Sequence, residues 1–228
     1  MSLIDRDFKL NSGERVTAVA IDDIPPDHWA RYEFARDCLI EMNATRPLIG
    51  ADIFCGAGYG TQFLAQTLPC HILGIDGSAE AIERASRQYA NLNLFFSHKF
   101  FPFSLPPEHF DFIVSMESIE HVEDGELFFN VLEQALKPGG RLIISAPNSE
   151  VVDLGKNPYA WHYRHYTRQE IENMGRNARL RHIKCVGAEC TVIDASGKVV
   201  SGNYFSPKSG ALRQDHAGDT LTHLFVKD

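Results

Sequence analysis

With 228 residues, 44% of them apolar and 23% charged, the chain is long enough to bury a sizeable core and lacks the composition of a disordered or fibrous protein. Its formal charge of -8, with no stripe of Lys or Arg to track a phosphate backbone, argues against a general nucleic-acid binder. Cys38, Cys55, Cys70, Cys185 and Cys190 are odd in number and show no CxxC pairing, which reads as reduced thiols rather than a disulfide framework. The start of the sequence lacks a signal-peptide core, and no apolar run approaches the roughly 20 residues that span a bilayer, so the expected address is the cytoplasm, with no membrane partner.

In chain order, Pro25-Pro26-Asp27 stops the chain and offers Asp27 as N-cap to a helix running to about Met42, with Trp29, Tyr32, Phe34 and Leu39 as its apolar members. That helix is expected to pack over a ligand cleft. From Leu48 onward, short apolar runs alternate with amphipathic stretches, the pattern of βα units whose parallel strands are covered on both faces. Strands are expected at 48–54, 71–76, 92–97, 110–116 and 140–146, with a helix over 61–68. Thr167-Arg168-Gln169-Glu170 is a capping box opening another helix, and strands follow near 180–186 and 222–226. Residues 190–220, rich in Gly, Ser and Asp, are expected to form a hairpin and a loop long enough to cap a pocket. The reading is one domain over 1–228: a helical cap (1–46), an α/β core (47–187), an insertion (188–220) and a last strand (221–228).

The most informative segment is Asp52-Ile53-Phe54-Cys55-Gly56-Ala57-Gly58-Tyr59-Gly60, which ends a strand, turns on three glycines and leads into a helix. Glycine removes the Cβ atoms that would keep the backbone away from a nucleotide-like ligand at the helix N-terminus. Asp76, followed by Gly77, ends the next strand, where a carboxylate can accept both hydroxyls of a ribose. A dinucleotide fingerprint would place its third glycine at 61, which is Thr.

The acid, strand end and GxGxG order resembles the Rossmann-like, class I S-adenosylmethionine-dependent methyltransferases. Phe110-Asp111-Phe112-Ile113-Val114 looks like that family's fourth strand, and Leu136-Lys137-Pro138-Gly139-Gly140 looks like its turn into the fifth. The resemblance implies a seven-stranded, mostly parallel sheet in the order 3-2-1-4-5-7-6 with helices on both faces. It also implies S-adenosylmethionine as cofactor, held by Asp52, Cys55, Gly56, Ala57, Gly58, Gly60, Asp76, Gly77 and Met116. One departure stands out: where relatives place an acid after the third strand, this chain has Lys99, so the adenine would be met by backbone groups and Phe100. Arg31-Tyr32 is similar to an RY pair that sits near the methionine end of the cofactor in polysaccharide-locus methyltransferases. Cys55 has no adjacent His in a catalytic signature and reads as small packing material rather than a nucleophile.

Glu117-Ser118-Ile119-Glu120-His121 follows the fourth strand at the edge where open α/β sheets bind ligands. In one helical turn, positions 117, 120 and 121 would share a face, able to hold a divalent cation or supply a base. The ExxEH pattern is similar to that of ubiquinone-pathway O-methyltransferases and small-RNA 2′-O-methyltransferases, which implies a magnesium-type ion on Glu117, Glu120 and His121. Aligning Tyr166-Thr167-Arg168 on a tripeptide of the second family makes His162, rather than His165, the fourth ligand. The alternative is a metal-free EHV segment, with His121 shaping the pocket and Glu120 capping or pairing. Glu117 and His121 are the expected catalytic residues in either case. His28, His71, His109, His182 and His216 show no ligand spacing and are read as surface or satisfied polar groups.

The expected function is O-methylation of a small-molecule or glycan acceptor by a monomer or homodimer. An RNA 2′-O-methyltransferase, a nicotinamide-dependent oxidoreductase and a non-catalytic S-adenosylmethionine-binding protein remain the rival readings.

Overall fold

The computed structural model describes residues 24, 26–152, 161–188, 192–193, 199–201 and 218–228. Helix α1 (Pro26–Ile40) leads into β1 (Leu48–Ile53), α2 (Tyr59–Thr67), β2 (Cys70–Asp76), α3 (Ala79–Tyr89) and β3 (Leu94–His98). Then come β4 (Phe110–Ser115), a 3-10 turn (Ile119–His121), α4 (Gly125–Ala135), β5 (Leu136–Pro147) and α5 (Arg168–Asn177). The chain closes with β6 (Leu180–Ala188), the short pair β7 (Val192–Ile193) and β8 (Val199–Ser201), and β9 (Thr220–Lys227).

Seven strands form one sheet in the order β3-β2-β1-β4-β5-β9-β6, while β7 and β8 make a separate antiparallel pair. The first five strands of the sheet pair in parallel, and β9 runs antiparallel to both β5 and β6. Numbered within the main sheet alone, β9 is the seventh strand, and the expected order 3-2-1-4-5-7-6 is what forms. β1 and β4 pair in parallel at the middle of the sheet, and the chain winds outward from β1 to β2 and β3 on one side and from β4 to β5 on the other, so their carboxyl ends flank the crevice where such sheets take ligands.

Alternation along each strand divides the core in two. Ala51, Ile53, Ile113, Leu142, Ile144 and Phe225 face α4 and α5, packing with Phe128, Phe129, Leu132 and Ile171. Phe112, Val114, Ile143 and Leu224 point the other way, toward Tyr32, Ala35 and Leu39 of α1 and Phe63 and Leu64 of α2. Both faces of the parallel strands are therefore dry, which is why their sequences read as near-continuous apolar runs rather than alternating ones. The packing is close enough to fix residue size: a Cβ added at Gly50 would lie 2.0 Å from the Phe112 ring.

Several local expectations shift. The first helix starts at Pro26, so Asp27 lies inside it rather than capping it; proline suits a first turn because its missing N–H would be unpaired there anyway. β5 begins at Leu136, four residues before the expected start, because Leu136 already pairs with Phe110 across a register shift and the Lys-Pro-Gly-Gly segment is carried inside the strand. Gly139 holds φ 76° there, a conformation glycine reaches without a Cβ penalty. The capping box at α5 forms: Thr167 Oγ1 accepts from the Glu170 N–H, and the Glu170 carboxylate accepts from the Thr167 N–H at 2.8 Å. Within residues 190–220 only β7, β8 and the residues from 218 on are described, so the expected loop, Cys190 and His216 fall outside the described residues.

Candidate functional site

The carboxyl ends of β1, β2, β4 and β5 meet at one edge of the sheet. At β1 the chain passes through the left-handed region at Phe54 (φ 60°), Gly56 (φ 55°) and Gly58 (φ 82°) before α2 begins. Two different constraints act on the glycines. A Cβ built at Gly56 would meet nothing within 4 Å, so this loop faces open space, whereas at Gly58 it would lie 2.8 Å from Phe96 and Ala85. Gly60 is tighter still, with the Tyr32 ring 1.9 Å from where a Cβ would stand. Ala57 and Cys55 are buried in the same turn, and burial pushes the Cys55 thiol well above its usual range.

Asp76 lies beside this loop and is almost fully buried. Its Oδ2 accepts from the Gly56 N–H at 2.9 Å and its Oδ1 from the Ser78 N–H at 2.7 Å. These two bonds fix the orientation of the carboxylate at the strand end. Lys99 and Phe100 are brought to the same corner. The Lys99 N–H donates to the Asp76 carbonyl at 3.0 Å, and the Phe100 ring lies 3.3 Å from a Cβ built at Gly77. Phe100 is nearly half exposed beside Asp76 and Gly77, and the Lys99 side chain is exposed as well.

Asp52 is buried one layer below. It accepts from Thr61 Oγ1 at 2.7 Å and from the Tyr32 hydroxyl at 3.2 Å, which ties α1 and α2 to β1. Burial raises this carboxyl to about 7, against the two hydrogen bonds, which act to lower it. The same burial, together with the Asp52 charge, raises the Tyr32 phenol.

At the end of β4, beyond buried Met116, the expected single helical turn does not form. Glu117 adopts φ 48°, and only Ile119–His121 make a 3-10 turn. The left-handed residue swings Glu117 away from Glu120 and His121. Its N–H donates to Ser145 Oγ at 2.9 Å, its Oε1 accepts from the same hydroxyl at 2.7 Å, and its Oε2 accepts from Thr220 at 3.4 Å. Buried Arg31 of α1 places Nη1 3.4 Å from Glu117 Oε1. Arg31 and Glu117 thus meet each other, and Ser145 and Thr220 were not among the expected site residues. Thr220 could not have been inferred locally, since 103 positions separate it from Glu117.

Glu120 and His121 do gather with His162: one ligand atom from each lies within 4.8 Å of the others. Backbone carbonyls set the tautomers. His121 Nδ1 lies 3.3 Å from the Trp161 carbonyl, which can only accept, so Nδ1 carries the proton and Nε2 presents a lone pair. His165 Nδ1 likewise donates to the Val152 carbonyl at 2.9 Å, leaving its Nε2 to accept from His162 Nδ1 at 2.8 Å. His162 Nε2 is then an acceptor too. Burial, followed by the charges of His121 and His165, lowers the His162 imidazole to about 3, so it stays neutral at ordinary pH. The His121 and His162 rings meet edge to face at 4.7 Å, and His121 Nε2 is 4.0 Å from the buried Glu120 carboxylate. Of the two candidate histidines, His162 joins this group and His165 holds it from behind.

A parallel sheet in this order, with a glycine turn and a carboxylate at adjacent strand ends, defines the class I methyltransferase fold. Residues 51–144 match the methyltransferase domain family. It is similar to a ubiquinone biosynthesis O-methyltransferase of Brucella ovis, 34% identical over 114 residues covering 47% of this chain and 46% of that protein. A phosphoethanolamine N-methyltransferase of Arabidopsis thaliana is 31% identical over 116 residues, covering 50% of this chain and 24% of that protein. The chain thus spans about half or less of the length of these relatives. Among solved structures, the complex of the Haloferax volcanii Trm112 methyltransferase activator with its methyltransferase resembles it with a TM-score of 0.64 at 19% identity, covering 88% of this chain and 90% of that one. No described helix is long and apolar enough to cross a membrane.

Proposed function

We propose that this chain transfers the methyl group of S-adenosylmethionine to a hydroxyl of a small-molecule or sugar acceptor in the cytoplasm. The observation that carries the reading is the position of Asp76 against the open glycine turn, with a histidine-carboxylate group on the neighbouring strand end. The cleft suits the donor: the Asp76 carboxylate is held at the strand end where it can accept from ribose hydroxyls, Gly56 opens on space, and the Phe100 face borders Gly77. Gly56, Ala57, Gly58 and Gly60 would line the nucleoside, with Cys55 behind them. Met116 and the backbone at Lys99 would close its edges, and Arg31, Tyr32 and Asp52 would frame the methionine end. When bound, the donor supplies an electrophilic methyl on a sulfonium, and displacement there is in line and needs no covalent intermediate.

The chain's own task is alignment and proton removal. His121 is the base: its Trp161 bond leaves Nε2 to take the acceptor's proton, and the Glu120 carboxylate nearby stabilises the imidazolium that results. Glu117, fixed by Ser145, Thr220 and Arg31, positions the pocket wall. Magnesium fits this group poorly. It prefers oxygen ligands, and with Glu117 turned away the set is two imidazoles and one carboxylate.

The similarity to an O-methyltransferase supports oxygen as the acceptor atom, and the acidic charge supports a small acceptor over RNA. Calorimetric titration with S-adenosylhomocysteine, followed by product release assayed over panels of phenols, sugars and amines, tests the reading. Uptake of the ligand with turnover on hydroxylated acceptors is expected. Failure to bind it at millimolar levels would falsify the assignment, and turnover confined to amines would overturn the oxygen acceptor.

A further inference from the structure

A second group of converging side chains lies away from the ligand edge. Glu172 of α5, His182 of β6 and His223 of β9 each bring a ligand atom within 4.8 Å of the other two. His223 is 1% exposed and three residues along β9 from Thr220, roughly 10 Å at strand rise, so it belongs to the sheet interior rather than to the cleft. His182, expected to be a surface or satisfied polar group, is hydrogen-bonded to His223 within this group.

The geometry has the features of a nitrogen-rich cation site. His182 Nε2 and His223 Nδ1 stand 3.2 Å apart. Two imidazole nitrogens at about 2.0–2.1 Å from a tetrahedral zinc ion are separated by about 3.3 Å, so a cation could replace the proton shared between the rings with little movement. The outer nitrogens have suitable partners. His182 Nδ1 faces Glu172 Oε1 at 3.6 Å, and His223 Nε2 faces the Cys185 thiol at 3.6 Å. Ligating histidines commonly use their second nitrogen in this way, with a partner that fixes ring orientation. Arg168 Nε holds Glu172 Oε1 at 2.6 Å and so orients the carboxylate while its second oxygen keeps its own lone pairs. Two imidazoles and one carboxylate select a late first-row divalent ion over magnesium or calcium.

We propose that Glu172, His182 and His223 form a structural zinc-type site that pins α5 to the antiparallel strand pair β6–β9. The ion takes up no electrons and makes no bond to substrate; the proton between the rings moves to an outer ring nitrogen, so that both histidines ligate as neutral imidazoles, and three separate elements are drawn together. Because β9 also carries Thr220 to the Glu117 carboxylate, the ion would hold one wall of the cleft at a distance.

The test uses the full chain, stripped of metal and titrated with Zn²⁺ against a chromogenic chelator. His162→Asn is used as background, so that the Glu120–His121–His162 group cannot contribute a competing equivalent. This background is expected to bind one equivalent of zinc and to gain thermal stability on binding. Adding His182→Asn should remove that equivalent and the stability gain, and adding Glu172→Gln instead, which leaves the sheet untouched, should weaken zinc at least about tenfold. Cobalt(II) in the same background should show the visible absorption of a low-coordinate, nitrogen-ligated ion, lost with His182→Asn. The proposal is overturned if the His162→Asn chain binds no zinc, or if the Glu172→Gln and His182→Asn chains bind it as the background does.

Discussion

The two ends of the parallel sheet both bury carboxylates, yet they treat them in opposite ways. At the amino end, Asp111 at the start of β4 accepts from Arg46 Nη2 at 2.6 Å and Nη1 at 2.8 Å, from Lys137 at 3.0 Å and from the Ile49 N–H at 2.8 Å. Burial alone would raise it, but these donors win and hold the carboxyl down at about 2. At the carboxyl end, Asp52 sits among neutral hydroxyls and is pushed up to about 7, and Asp76 is oriented by two backbone N–H groups. One end ties its carboxylate to cations and joins β1, β4 and β5; the other holds its carboxylates with hydroxyls and backbone N–H groups at the edge where such sheets take ligands.

That contrast can be broken by substitution, beginning with the largest expected effect. Asp76→Ala should weaken S-adenosylhomocysteine at least about a thousandfold, near 4 kcal/mol, because two charge-assisted hydrogen bonds go together. Calorimetric titration measures it, and thermal unfolding should fall as well, because the Gly56 and Ser78 N–H groups lose their buried acceptor. Next, Glu117→Leu leaves the buried Arg31 guanidinium without its carboxylate and should cost about 3 kcal/mol in urea unfolding, with Glu117→Gln recovering most of the loss. A Leu variant as stable as the parent would show that the pair contributes nothing.

His121→Ala comes third and should lower turnover about a hundredfold, the usual scale for a lost general base, while donor affinity stays within about twofold. Single-turnover methyl transfer separates the two quantities, and unchanged turnover would remove His121 from the mechanism.

Asp111→Asn should act in the reverse sense, leaving donor affinity intact but costing about 2 kcal/mol of stability at neutral pH. The folded carboxyl titrates near 2 and the unfolded one near 3.8, so the unfolded state binds more protons between those values. Its contribution is thus complete above the unfolded value and disappears as pH falls toward about 2; urea midpoints across that range should converge for parent and variant. The smallest effect is at the α5 cap, where Thr167→Ala should cost about 1 kcal/mol.

Much of the glycine turn was legible because its signals are local. A strand end, three glycines and the acid at the next strand end lie within 25 residues of one another, although the side chains that crowd Gly58 and Gly60, those of Ala85, Phe96 and Tyr32, come from distant positions. The segment after β4 was legible only in part. Glu120, His121 and His162 were picked out and do gather, but a helical turn was assumed where Glu117 adopts a left-handed conformation, and this single dihedral sends its carboxylate to Ser145 and Arg31. The Glu172–His182–His223 group had no signal at all, since its members are ten and forty-one residues apart and meet only through the pairing of β6 with β9.

Hydrophobic runs, turn residues and caps therefore determined from the sequence alone that this is an α/β chain and where its glycine turn falls, because each depends on the preferences of a few neighbouring residues, while the seven-stranded sheet was what the family resemblance implied. Only the tertiary structure decided which polar side chains share a charge, a proton or a place for a cation. Those outcomes depend on contacts between strands and helices far apart in the chain, and a shift of one backbone angle reassigns them.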